Sequence, residues 1–118
     1  GKQTMSLLAE LKCITDALNI PAQTSIFDAP APDKYIVFTP IVDDYHLFAD
    51  NKPNVDVEEV RISYFDKGNY LAGKKAIENA VIAAEITITD RRYLGHEDDT
   101  GYHHYAIDVA KNYQIEEE

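Results

Sequence analysis

Leu7, Leu8, Leu11, Ile14 and Leu18 recur at intervals of three and four between Ser6 and Asn19, the spacing that lines one face of an α-helix. That pattern predicts an amphipathic helix, stopped by Pro21. From there to Asp33 the prolines 21, 30 and 32 remove donors and favour extended backbone, so the stretch reads as a connector with little regular structure, anchored by Ile26 and Phe27. Lys34 to Val42, KYIVFTPIV, is rich in β-branched and aromatic residues and flanked by turn formers, which predicts a strand apolar on both faces. Tyr45 to Asn54, with Asp50, Asn51, Pro53 and Asn54, reads as a long polar-tipped loop.

Val60, Ile62 and Tyr64 then alternate with Arg61, Ser63 and Phe65, but Val55 and Val57 keep the opposite phase. A bulge or the true strand start is therefore expected at Glu58 and Glu59. Asn69 is placed to cap a second helix whose apolar positions Leu71, Ile77, Ala80, Val81 and Ala84 follow helical spacing. Two further alternating runs, Glu85 to Tyr93 and Tyr105 to Ala110, predict a hairpin around Gly95 to Gly101, with the polar tip GHEDDTG protruding and mobile. The order is α-β-β-α-β-β. The expectation is an α+β fold: a four-stranded antiparallel sheet with two helices packed on one face.

Composition bounds the size and the partners. With 118 residues the chain is expected to form a single domain over 5–118. Gly1 to Thr4 ahead of Met5 read as residues added for expression, although removal of a native methionine before Gly1 would leave the same sequence. No apolar run approaches the roughly 18 residues that span a bilayer, and the amino terminus lacks the regions of a signal peptide, so an intracellular protein with no membrane partner is expected. The net charge of -10 disfavours direct binding to nucleic acid, whose phosphates it repels.

Candidate chemistry is sparse. His96, Glu97, Asp98, Asp99, His103 and His104 gather metal-ligating atoms, but most lie on a hairpin tip, and His103 and His104 would point to opposite faces of a strand. Asp43, Asp44 and His46 could be imagined as an acid and base pair, yet nothing in the pattern orders them. Cys13, the single cysteine, reads as a buried, inert thiol on a helix face, without a histidine at helical spacing to activate it. Accordingly no catalytic, cofactor-binding or metal-binding residue is assigned, and no enzyme or cofactor is expected. Of the eight tyrosines, Tyr35, Tyr64, Tyr105 and Tyr113 could face the sheet core, while Tyr45, Tyr70, Tyr93 and Tyr102, near element ends, suit an interface. Open sheet edges offer a further route to assembly.

The opening MSLLAELK helix, the YIVF strand, the FADN loop, the VRISYFDKGN strand end, a second helix and the closing DDTGYHHYAIDVAKNY together resemble the tail-completion or head-tail joining proteins of long-tailed bacteriophages and prophages. The likeness runs from Met5 to Ile115 and is one of length, element order and short phrases. It implies a non-enzymatic ring, commonly of six subunits, at the junction of tail tube and capsid neck. The partners it implies are further copies of the chain and the tail-tube and neck or connector proteins. The location it implies is the virion, and the bacterial cytoplasm during assembly. An acidic lumen would let DNA slide through such a ring. Contacts are expected on protruding loops, at Tyr45, His46, Phe48, Asp50 and Asn51, and at His96, Glu97, Asp98 and Asp99. Two alternatives are a small metal-dependent enzyme using the hairpin cluster and, ranked below it, an acidic mimic of DNA.

Overall fold

The computed structural model describes residues 6–24, 31–45 and 55–114; for 42–45, 55–56 and 114 it describes the backbone alone. Helix α1 spans Leu7–Leu18 and begins at Ser6, whose hydroxyl accepts from the Ala9 amide, satisfying one of the four N–H groups that a helix start leaves unpaired. Glu58, reaching across from the sheet, accepts from the Leu7 amide at 2.8 Å. Asn19 ends the helix in the left-handed region, φ 61, a conformation that asparagine tolerates better than most side chains.

Strand β1, Ala22–Thr24, runs parallel to β2, Lys34–Tyr45. Antiparallel pairings then join β2 to β3, Val55–Asp66, β3 to β5, His103–Gln114, and β5 to β4, Thr87–His96. The sheet order is β1-β2-β3-β5-β4. Helix α2, Tyr70–Ala83, crosses from β3 to β4 and starts on the Asn69 cap predicted for it, whose side chain accepts from the Ala72 amide.

The expected four-stranded antiparallel sheet in the order α-β-β-α-β-β is therefore corrected to a five-stranded mixed sheet in the order α-β-β-β-α-β-β. The added strand is three residues long, too short to show a period, and it lies in the proline-rich connector. Pro21 does not oppose it, because that residue contributes its carbonyl, to the Ile36 amide at 2.8 Å, and not its missing donor. Ile26 and Phe27, the expected anchors, lie outside the described residues.

Both helices pack on one face of the sheet. Leu7 and Leu11 from α1 and Ile77 and Val81 from α2 meet Ile36, Phe38, Val60, Ile62, Tyr64, Ile107 and Val109 in a single buried cluster. The phase problem in β3 resolves without a bulge there: its pairing with β5 is continuous from Val55 to Asp66. Val57 is on the opposite face from Val60 and Ile62, and Glu58 is on the covered face because its carboxylate caps α1. The slip is in β2, between Pro40 and Val42. Cys13 is exposed where burial was expected, since the buried stripe of α1 is Leu7, Leu11 and Thr15 and position 13 falls on the other side of the cylinder. Among the described residues, no helix is long and apolar enough to cross a membrane.

Candidate functional site

At the base of the β4–β5 hairpin, on the helix-covered face, a group of rings closes the end of the core beside the start of α2. Tyr70, the first residue of α2, stacks on Tyr93 at 5.0 Å and on His103 at 4.8 Å between centroids. The Tyr93 hydroxyl is 2.9 Å from His103 Nδ1. His96 sits 4.6 Å from the His103 ring and its Nδ1 is 3.3 Å from Asp98. The Lys74 ammonium lies over the Tyr105 ring at 5.1 Å, an arrangement that attracts cation to ring face.

The tip itself is braced. Glu97 and Tyr102 pair through the backbone, Gly101 donates to the Glu97 carbonyl at 2.7 Å, and the Thr100 hydroxyl donates to the Glu97 carboxylate at 2.7 Å. Gly101 has φ 85, a conformation few other residues would adopt at low cost. Tyr102, expected at an interface, is instead folded back and 7% exposed, with its hydroxyl donating to the Pro32 carbonyl at 2.5 Å.

His104 belongs to the other face of the sheet, on which no described helix packs. There it stacks on Phe65 at 4.1 Å, and Phe65 stacks on Tyr35 at 4.7 Å. Tyr102 meets both Tyr35 and Phe65 edge-on. This aromatic plate crosses β2, β3 and β5 and places Tyr35 away from the helix-covered core, whereas Tyr64 and Tyr105 are buried in it. His104 Nε2 is buried without a hydrogen-bond partner among the described residues, and burial holds its imidazole below the usual histidine pKa. The plate is not legible in the sequence, because alternation shows which side of a strand a residue takes but not which distant residue adjoins it. Farther along the same face, Arg61 grips Asp108 through two nitrogens at 2.8 and 3.1 Å.

The two sheet edges share one design. Among the described residues, strand β4 pairs on one side only; it is bulged between Ile88 and Asp90 and between Tyr93 and Gly95, with Arg91 and Arg92 exposed and Asp90 half-buried between the bulges. Beyond the three residues covered by β1, β2 is likewise an edge among the described residues, and it carries Pro40 and a bulge at Ile41. Proline, charge and bulges all oppose the addition of a further strand. Each edge nevertheless presents a large apolar side chain at a bulge, Ile41 at 45% and Leu94 at 49% exposure, with Tyr93 beside the latter at 44%.

One cavity of 410 Å³ opens between the start of α2 and the end of β3, but both oxygens of its Asp66 carboxylate are already bonded, to the Tyr64 hydroxyl and the Gly68 amide. A second of equal size includes Lys111, whose ammonium is held by Glu10 and the Ala84 carbonyl. Among the described residues, no group of three or more His, Cys, Asp or Glu side chains could hold a metal ion. No family model matches the chain, and no characterised protein does.

Of the contact residues expected from sequence, His96, Glu97, Asp98 and Asp99 lie at the hairpin end, all exposed. Tyr45 ends β2, with only its backbone described, and His46, Phe48, Asp50 and Asn51 lie outside the described residues. The sequence pattern does not single out Ile41 or Leu94. An exposed isoleucine or leucine within an alternating run looks like core until the register shows that it occupies a bulge.

Proposed function

We propose that the chain is a non-enzymatic structural subunit of a tailed-phage particle. It completes the tail and joins it to the head as part of a ring, with copies of itself and with tail-tube and neck proteins as partners. The observation that carries this reading is the pair of exposed apolar bulge residues, Ile41 and Leu94, at opposite edges of one sheet. A closed ring is built from heterologous contacts, in which two different patches on opposite sides of a subunit meet. A twofold dimer needs only one patch.

The edges suit side-chain packing better than strand addition, since proline, charge and bulges interrupt both backbone ladders. Leu71 and Ile82, 56% and 61% exposed on the outer side of α2, offer a further surface for tube or neck proteins. The exposed hairpin residues His96, Glu97, Asp98 and Asp99 supply a polar rim, and Tyr45, His46, Phe48, Asp50 and Asn51 are proposed as further contacts. The net charge of -10 fits a passage through which DNA slides without sticking.

Removal of the coding sequence from the phage genome tests the reading. The expected result is filled heads and free tails that do not join, with joining restored when the chain is supplied from a plasmid. Joined, infectious particles in its absence would overturn it.

A further inference from the structure

Two imidazoles face each other across the base of the hairpin. His96 and His103 are register partners in the β4–β5 ladder, with ring centroids 4.6 Å apart and planes inclined at 50°. Each has its Nδ1 engaged, His96 with the Asp98 carboxylate at 3.3 Å and His103 with the Tyr93 hydroxyl at 2.9 Å. Neither Nε2 has a hydrogen-bond partner among the described residues. A carboxylate accepts, so His96 Nδ1 can donate to Asp98; the Tyr93 hydroxyl accepts from His103 Nδ1 in one tautomer and donates to it in the other. Where Nδ1 donates, the Nε2 lone pair is free, the tautomer in which histidine ligates metals.

Spacing agrees with this chemistry. Two imidazoles that share one ion at metal-nitrogen distances of about 2.0–2.1 Å place their ring centres about 4.5–5 Å apart. The observed separation falls in that range. Both side chains lie on the same face of adjacent strands, so the sheet fixes their relative position before any ion arrives.

We propose that His96 and His103 chelate one divalent first-row transition ion of the imidazole-preferring kind, zinc or copper in class, through their Nε2 atoms. Asp98 and Tyr93 act as positioning residues that hold the two tautomers. No third His, Cys, Asp or Glu completes a cluster among the described residues, so water fills the remaining positions and the ion exchanges freely. The set lacks the oxygen-rich shell that magnesium and calcium need. A bound ion ties β4 to β5 beside the tip, stiffening the end of the molecule that carries Glu97, Asp98 and Asp99.

The test uses untagged full-length protein titrated with zinc chloride, followed by calorimetry and by long-range proton-nitrogen NMR of the imidazoles. One equivalent is expected to bind, shifting Nε2 of His96 and of His103 while the rings of His46 and His104 stay unchanged. His96→Gln and His103→Gln are each expected to weaken binding at least tenfold, and His46→Gln to leave it intact. Magnesium chloride is expected to shift nothing. Absence of binding at millimolar zinc, or binding that survives both substitutions, would overturn the proposal. If His103→Gln melts before it can be titrated, the wild-type NMR decides alone: movement of Nε2 at both residues supports the site, and movement at any other pair of nitrogens refutes it.

Discussion

Gly73 of α2 lies directly over the ring of Tyr64, so that a Cβ at position 73 would overlap the phenol oxygen and stand 2.9 Å from Cε2. Tyr64 is fully buried and its hydroxyl is bonded to Asp66 at 2.5 Å, so the ring has no room to retreat. Gly73→Ala sets two effects against each other. Alanine gains about 1 kcal/mol of helix propensity over glycine, whereas overpacking a filled core costs about 1–3 kcal/mol. With backbone pressed against an immobile ring, the second effect is expected to win, and the variant to unfold at lower urea than wild type. In a Tyr64→Leu background the same change is expected to cost less, which a double-mutant cycle would measure.

The link between Glu58 and the Leu7 amide makes a sheet residue part of a helix cap. Glu58→Ala leaves that donor unpaired and removes a negative charge from a helix start, an expected loss of about 1 kcal/mol. Glu58→Gln keeps an acceptor and is expected to lose less. Thermal melts of the two variants would check the order.

His104 gives the stability a pH dependence of known sign. Burial lowers its folded pKa, so below the unfolded value of about 6.5 the unfolded chain takes up more protons than the folded one. The stability held above that value therefore falls as pH drops through the interval down to the lowered folded pKa. His104→Phe keeps a ring on Phe65 and removes the titration. Between pH 8 and pH 5 its melting temperature is expected to fall less than that of wild type, and equal falls would assign the effect to the carboxylates.

The two bulge residues allow a complementation experiment. Ile41→Asp and Leu94→Asp are each expected to fold normally, judged by circular dichroism, and to sediment as monomers under conditions in which wild type forms rings. An equimolar mixture of the two retains one intact pair of patches. It is expected to yield dimers and no rings.

Much of the architecture is legible in the sequence because periodicity reports on contacts near in the chain. The leucine stripe of α1 and the Asn69 cap of α2 follow from spacing alone. Strand β1 is not legible, since Ala22 to Thr24 is too short for a period and owes its pairing to Ile36, Val37 and Phe38. Glu58 misleads because its place on the covered face serves a helix 51 residues away in the chain. The candidate sites depend on the same long-range register. His96 beside His103, Phe65 between Tyr35 and His104, and the outward turn of Ile41 and Leu94 all follow from which strand lies beside which, and alternation within one strand does not encode that.

The proposed ring is tested most directly by electron cryomicroscopy of the head-proximal end of the tail of the phage proposed to carry this chain. The expected result is a closed ring of copies of this chain around the DNA path, in which the Ile41 edge of each subunit meets the Leu94 edge of the next. A tail end whose density contains no copy of the chain, or copies that touch through neither edge, would contradict it.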